Sequence, residues 1–419
     1  MASRVSPKES CVVDIYDNGS SFSVKHIPDG ESAIEPFQNE NNTREQLLQA
    51  IGEVYRPVLS LMKLSGIYFG CTTLATGIQL FGQRRGTLIS FCFCCVVVSG
   101  MWFNFVMPVV SAVVEGHVFR RIMIIFWCLL VALLGTTCLF VLSSTASRTS
   151  RFEEFILKVI SIKMVNPCLK KAKSRSRIFL IIFFLLVIAS VAGAFCTDLI
   201  LEMNIANALP WKNWLVFRFT SLLFLTFGCG VWLFPFPFFC STCFILEELF
   251  DDLYDQILQP NSNSLGIALL RKRHHDLCQV VEMADRVHSP LILEMVAFSF
   301  PVICFNFYVV INSDAFQEQL TLVVNTLFWL LISSATTGVI MIVGAKVSEK
   351  IHAVEKIFQT FPVPPEDEGK LLIFMMDLQG CWDHCFLRCR NVVFASSILS
   401  QSASSKELMA NLKLRVEQR

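Results

Sequence analysis

Ile178-Phe-Leu-Ile-Ile-Phe-Phe-Leu-Leu-Val-Ile-Ala-Ser-Val-Ala-Gly-Ala-Phe195 contains no charged residue. Basic residues crowd its leading side: Lys170, Lys171, Lys173, Arg175 and Arg177. About 20 apolar residues, rising 1.5 Å each, cross a hydrocarbon core of roughly 30 Å. The stretch therefore reads as a membrane span over 178–200. Working outward, five more blocks of this kind appear, at about 87–114, 122–145, 213–245, 290–312 and 321–345. Backbone N–H and C=O groups in lipid must be satisfied within their own segment, so these blocks are helices. A β-barrel would instead show roughly ten-residue alternating segments. Composition agrees: 54% of the 419 residues are hydrophobic and 16% charged, against about 25% charged in soluble domains. The expected fold class is all-α, a polytopic transmembrane helix bundle.

Loop charge orients the bundle, because Lys and Arg accumulate on the cytoplasmic side. The loop at 146–177 is strongly basic. Residues 246–289 carry Arg271, Lys272, Arg273 and Arg286, and the region after 345 carries Lys346, Lys350, Lys356 and Lys370; the acids mixed in count for little in this rule. These read as inside. Residues 201–212 and 313–320 hold few or no bases and read as outside. Arg120 and Arg121, in a short outside loop, are the exception. The C-terminus is then cytoplasmic.

The segment 57–80 carries Lys63 and several Gly, Ser and Thr residues, and its link to the next block is short. It reads as an interfacial or re-entrant helix rather than a span. Were it to span, there would be seven helices with the N-terminus outside, the topology of a G-protein-coupled receptor. Residues 1–48 are polar and read as disordered. The sequons at Asn18 and Asn41 matter only if that end is lumenal.

The cytoplasmic stretch before the fifth block is the most distinctive: Leu270-Arg271-Lys-Arg-His274-His275-Asp-Leu277-Cys278-Gln-Val-Val281. Leu270, His274, Leu277, Val281 and Ala284 recur at helical spacing, as in a helix that packs one face. The pattern L-R-x-x-H-x-x-L-C-x-x-V resembles the invertebrate gustatory receptor family, with Tyr308 at the far end of the following span. Tyr55-Arg56-Pro57-Val58-Leu59, continuing through Met62 to Gly66, resembles that family's opening, with Met62 where the pattern has Leu. The resemblance covers about 50–400.

It implies a multi-pass plasma-membrane chemoreceptor with both termini cytoplasmic, inverted relative to G-protein-coupled receptors. It also implies a homo- or hetero-tetrameric ligand-gated cation channel that detects a small molecule. Cytoplasmic helical extensions would form an anchor where subunits meet, and Leu270, Arg271, His274, Leu277, Cys278 and Val281 would belong to it. One departure stands out. The family's T-Y-hydrophobics-Q-F signature in the last, pore-lining span has no counterpart. Asn391–Leu399 is followed by Ser400-Gln-Ser-Ala-Ser-Ser405 and a polar tail over 401–419. The expectation is a bundle over 49–400 with six spans where the family has seven. A non-conducting accessory or developmental member of the same family is the alternative.

Several other residues invite chemistry. Trp211, Trp214 and Phe217 open the fourth span on the outside, and Phe305 and Tyr308 close the fifth. Interfacial aromatic belts account for such residues, and an apolar ligand pocket is the sharper reading. Arg218 and Glu294 fit snorkelling or interfacial pairing, or else a polar pocket or helix pairing. Cys381, Cys385 and Cys389, with Asp383 and His384 between them, form one helical face. That face suits a buried thiol surface, acylation or zinc. Cys240 and Cys243 form a C-x-x-C without a partner pair. Most of the seventeen cysteines lie in spans, where Cys acts as a small hydrophobe, so no disulfide framework is expected. His274 and His275 suit a structural role better than a proton switch. Pro235 and Pro237 are expected to kink the fourth span. No nucleotide-binding, nucleophile-elbow or zinc-hydrolase motif occurs, and no basic domain suited to nucleic acid. Neither an enzyme nor a cofactor is expected; the partners are the lipid bilayer and a small-molecule ligand.

Overall fold

The computed structural model describes residues 35–70, 84–111, 118–143, 150–162, 169–201, 215–258, 267–312 and 320–360. The chain has two compact units, 1–42 and 43–419. The described residues form helices α1 (Glu35–Leu64), α2 (Arg84–Ser111), α3 (Val118–Leu142) and α4 (Arg151–Ser161). Next along the chain come α5 (Lys170–Leu201), α6 (Leu215–Leu233), α7 (Pro235–Leu258), α8 (Ile267–Asn312) and α9 (Leu320–Thr360).

Among the described residues, six segments are long and apolar enough to cross a membrane: Leu88–Val106, Ile125–Leu142, Lys170–Phe195, Phe219–Leu258, Lys272–Tyr308 and Thr326–Val354. Each overlaps one of the blocks read from the sequence. The α6–α7 segment is the most enclosed and the α5 segment the least. Thus α7 is the central element, packed against α5, α8 and α9, while α3 bridges α2, α6 and α8.

The helix break beside Phe234 results from two prolines. Pro235 and Pro237 lack the N–H groups that would bond the carbonyls four residues earlier. The chain bridges the gap with Phe234 N donating to Gly230 O at 2.9 Å and Phe238 N to Phe234 O at 3.3 Å. The expected kinked span is therefore two helices, and α7 continues past residue 245 to Leu258. In the same way α8 carries the stretch 270–289 and the block 290–312 on one helix of 46 residues, about 69 Å long at 1.5 Å per residue. With the 41-residue α9, it extends well beyond a bilayer core.

Two stretches differ from their expected character. Helix α1 begins at Glu35, inside the region expected to lack structure up to residue 48. Its Leu47, Ile51, Val54, Tyr55, Val58 and Met62 are almost wholly buried, a three-four spacing that places one face in the common core. Residues 65–70 then leave the helix, and most of 57–80 beyond them lies outside the described residues. The loop at 146–177 contains α4, capped by Ser150, whose Oγ accepts from Glu153 N at 3.1 Å. Ser150-Arg-Phe-Glu153 is a capping-box pattern. Phe152, Phe155, Ile156 and Val159 form the buried face of α4.

Candidate functional site

Two polar clusters lie between the helices. The first is at the α4 end of the bundle. Thr242 on α7 donates its hydroxyl proton to Phe238 O at 3.2 Å. Its oxygen is then an acceptor, so Tyr55 O–H on α1 donates to it at 2.7 Å and His288 Nε2–H on α8 at 2.8 Å. That arrangement selects the Nε2–H tautomer of His288. Its Nδ1 has no partner among the described residues. Phe152, Phe238 and Phe239 enclose the group: ring centroids are 5.1 Å apart for Tyr55–Phe152 and for Phe152–Phe238, and 4.9 Å for Phe238–His288. One hydroxyl on α7 therefore ties α1 to α8, and Phe152 of α4 packs on the tie.

The second cluster lies farther along α3 and α8, away from α4. Thr137 Oγ1 on α3 donates to Glu294 Oε1 on α8 at 2.5 Å. Glu294 Oε2 is buried without a partner among the described residues. One and three turns farther along the same side of α8 come Phe298 and Phe305, and Phe126 of α3 lies 6.2 and 6.1 Å from their ring centroids. Ser299 Oγ, Asn306 Nδ2 and Trp127 Nε1 are buried and unpartnered in the same sense. Trp232 of α6 meets Trp329 of α9 at 5.9 Å, and Trp232 Nε1 has no partner among the described residues either. Leaving one such group unpaired in an apolar interior costs about 1–3 kcal/mol. The Thr137–Glu294 pair thus lies within one to three turns of the Phe126, Phe298 and Phe305 ring group.

The sequence profile of the 7tm chemosensory receptor family matches residues 55–371. The chain belongs to that family. Its fold is similar to that of the insect olfactory receptor OR5 from Machilis hrabei. The structure of OR5 in complex with eugenol aligns with a TM-score of 0.60 at 10% identity, covering 87% of this chain and 100% of that one. A second OR5 structure aligns with a TM-score of 0.53 at 10% identity, covering 77% and 88%. Identity this low speaks for the fold alone. No curated protein matches the sequence.

Within this chemosensory receptor, the residues nominated from sequence fall in different places. Leu270, His274, Leu277 and Cys278 are buried in the chain's own core, and Val281 is half-buried. Cys278 Sγ sits 3.6 Å from His274 Nδ1, one helical turn away. Lys272, His275, Glu282 and Arg286 form the exposed side of the same helix. Arg271 lies on α8, but its side chain is outside the described set, as are those of Phe217 and Arg218. Trp211, Trp214, Cys381, Cys385 and Cys389 lie outside the described residues altogether. Phe305 joins the second cluster through Phe126, whereas Tyr308 is 55% exposed. Glu294 pairs between helices, well inside the apolar segment. Cys240 and Cys243 are both buried and form no disulfide among the described residues. Among the described residues, no three His, Cys, Asp or Glu side chains gather as a metal site would require.

The sequence does not announce Phe126, Thr137, Phe298, Trp232 or Trp329. Glu294 was the available signal, a carboxylate in an apolar block. Its partner stands 157 residues away, and only the register of α3 against α8 selects Thr137 from its neighbours.

Proposed function

We propose that the chain is a receptor subunit that binds a small amphiphilic molecule between α3 and α8. In this reading binding favours the conducting state of a ligand-gated cation channel, assembled as a homo- or hetero-tetramer in the plasma membrane. Glu294 carries the reading. One oxygen is held by Thr137 and the other is unpartnered among the described residues, one helical turn from Phe298, whose ring and that of Phe305 pack on Phe126. The rings supply apolar contact and the free oxygen a single directional hydrogen bond, a combination that orients a ligand with one polar group. The related fold of OR5 holds eugenol, a small aromatic molecule of this general kind. The ligand shifts the channel only by its differential affinity for the open state.

The test is whole-cell recording from cells that express the full chain, alone and with a second family member, during perfusion of small phenols, alcohols and amines. A saturable, ligand-evoked cation current is expected. Surface expression without any evoked current, in either setting, contradicts the channel reading.

A further inference from the structure

The first two turns of α5 hold five basic residues, and the fold divides them. Lys173 pairs with Glu53 of α1. Arg175 Nη1 donates to Glu247 Oε2 of α7 at 2.6 Å and lies over the Phe244 ring. These two face the bundle. Lys170, Lys171 and Arg177 are exposed and make no ion pair among the described residues, and Ser174 between them is exposed as well. The backbone N–H of Lys171 already donates to Glu248 Oε1 at 2.7 Å, so the helix terminus itself is occupied and the side chains are what remain available.

At 100° per residue, Lys170, Lys171, Ser174 and Arg177 lie on the same side of α5 as Ile178, Ile181, Ile182, Leu185 and Ile188. Those five are the helix's outward apolar stripe, 47–60% exposed. The stripe has the length and composition of a lipid-facing surface. Three exposed cations outside any ion pair among the described residues, with a hydroxyl, crown it within two helical turns at the end of the apolar segment, where phosphates of a leaflet lie. Glu248 and Glu53 interact only at longer range with the Lys171 and Arg177 charges.

We propose that this face of α5 is a binding site for an anionic phospholipid. The headgroup phosphates are held by Lys170, Lys171 and Arg177 with Ser174, and the acyl chains lie along Ile178–Ile188. Three cations suit a headgroup that carries more than one negative charge, so a phosphorylated phosphatidylinositol is favoured over phosphatidylserine, and both over phosphatidylcholine. Arg177 adds bidentate reach to a phosphate, whereas the lysines act as point charges. A receptor gated across the membrane would thereby also respond to the lipid of its own leaflet.

The test uses the purified full chain and native mass spectrometry with a bisphosphorylated phosphatidylinositol, phosphatidylserine and phosphatidylcholine as separate probes. The first should bind best, and affinity should fall as salt rises. Replacing Lys170, Lys171 and Arg177 together by Gln should weaken binding about 100-fold, with each single Lys→Gln change giving a part of that loss. Lys272→Gln, an exposed charge on α8, should leave binding unchanged. Should the triple variant fail to fold, the single variants decide. Equal binding of all three lipids, no loss in the variants, the same loss from Lys272→Gln, or equal affinity for the free inositol phosphate headgroup would each overturn the proposal.

Discussion

Tyr55 on α1 and Thr242 on α7 stand 187 residues apart and share a 2.7 Å hydrogen bond in the bundle interior. Burial pushes the phenol's pKa far above its ordinary value, so Tyr55 stays an O–H donor. Tyr55→Phe removes that donor and keeps the packing, and should cost about 1 kcal/mol. Tyr55→Ala also empties a ring-sized volume between Phe152 and Phe238, for about 3–5 kcal/mol. Thermal unfolding of detergent-purified protein reads both. Equal effects would mean that the ring contributes nothing.

Lys173 on α5 holds Glu53 of α1 ionised, chiefly through their hydrogen bond, and lowers its pKa from 4.5. A carboxyl whose folded pKa is depressed stabilises the fold above its unfolded pKa and loses that contribution as pH falls through its folded value. Wild type should therefore be more stable than Glu53→Gln at neutral pH. The gap should close as pH drops below the ordinary glutamate range. Unfolding midpoints across a pH series for the two proteins measure it, and a constant gap would dismiss the pair.

Gly66 ends α1 at φ +75°, and a Cβ there would sit 2.7 Å from Cβ of Val97 on α2. Gly66→Ala meets both the left-handed backbone penalty and a β-branched neighbour, together about 2–4 kcal/mol. Gly52, within α1, has open space around a built Cβ. Gly52→Ala should be neutral or gain up to about 1 kcal/mol. Surface expression and unfolding midpoints should separate the two alanines in opposite directions.

Thr137→Val leaves Glu294 without the one partner it has among the described residues and should destabilise by about 1–3 kcal/mol. Pairing it with Glu294→Leu removes both polar ends and should recover most of that loss. The double variant should fold yet lose the ligand response. A double-mutant cycle with zero coupling would show that the 2.5 Å contact contributes no energy.

The apolar blocks were legible because lipid solvation demands long uncharged runs, and all six overlap candidate spanning segments. The signals missed were local and short. Ser150-x-x-Glu153 with Phe152, Phe155, Ile156 and Val159 announces α4, but it sat inside a loop read for charge alone. Polarity hid the burial of α1, because a helix with Glu53, Arg56 and Lys63 on one side can still commit Tyr55 and Met62 to a core. His274 and Cys278 show the reverse limit. Spacing put them on one face, but spacing does not say whether that face meets its own chain or another, and here it meets its own core. The second cluster depends on register between helices far apart in sequence, which no single segment encodes.

The central claim, ligand recognition between α3 and α8, is tested most directly by dose–response recording of the full chain against Phe298→Ala and Leu293→Ala. Phe298 packs against Phe126, while Leu293 is 65% exposed on the outer side of the same helix. With surface expression matched, Phe298→Ala should raise the half-maximal ligand concentration about tenfold, and Leu293→Ala should not move it. Identical curves for all three proteins, or an equal shift from Leu293→Ala, would contradict the account.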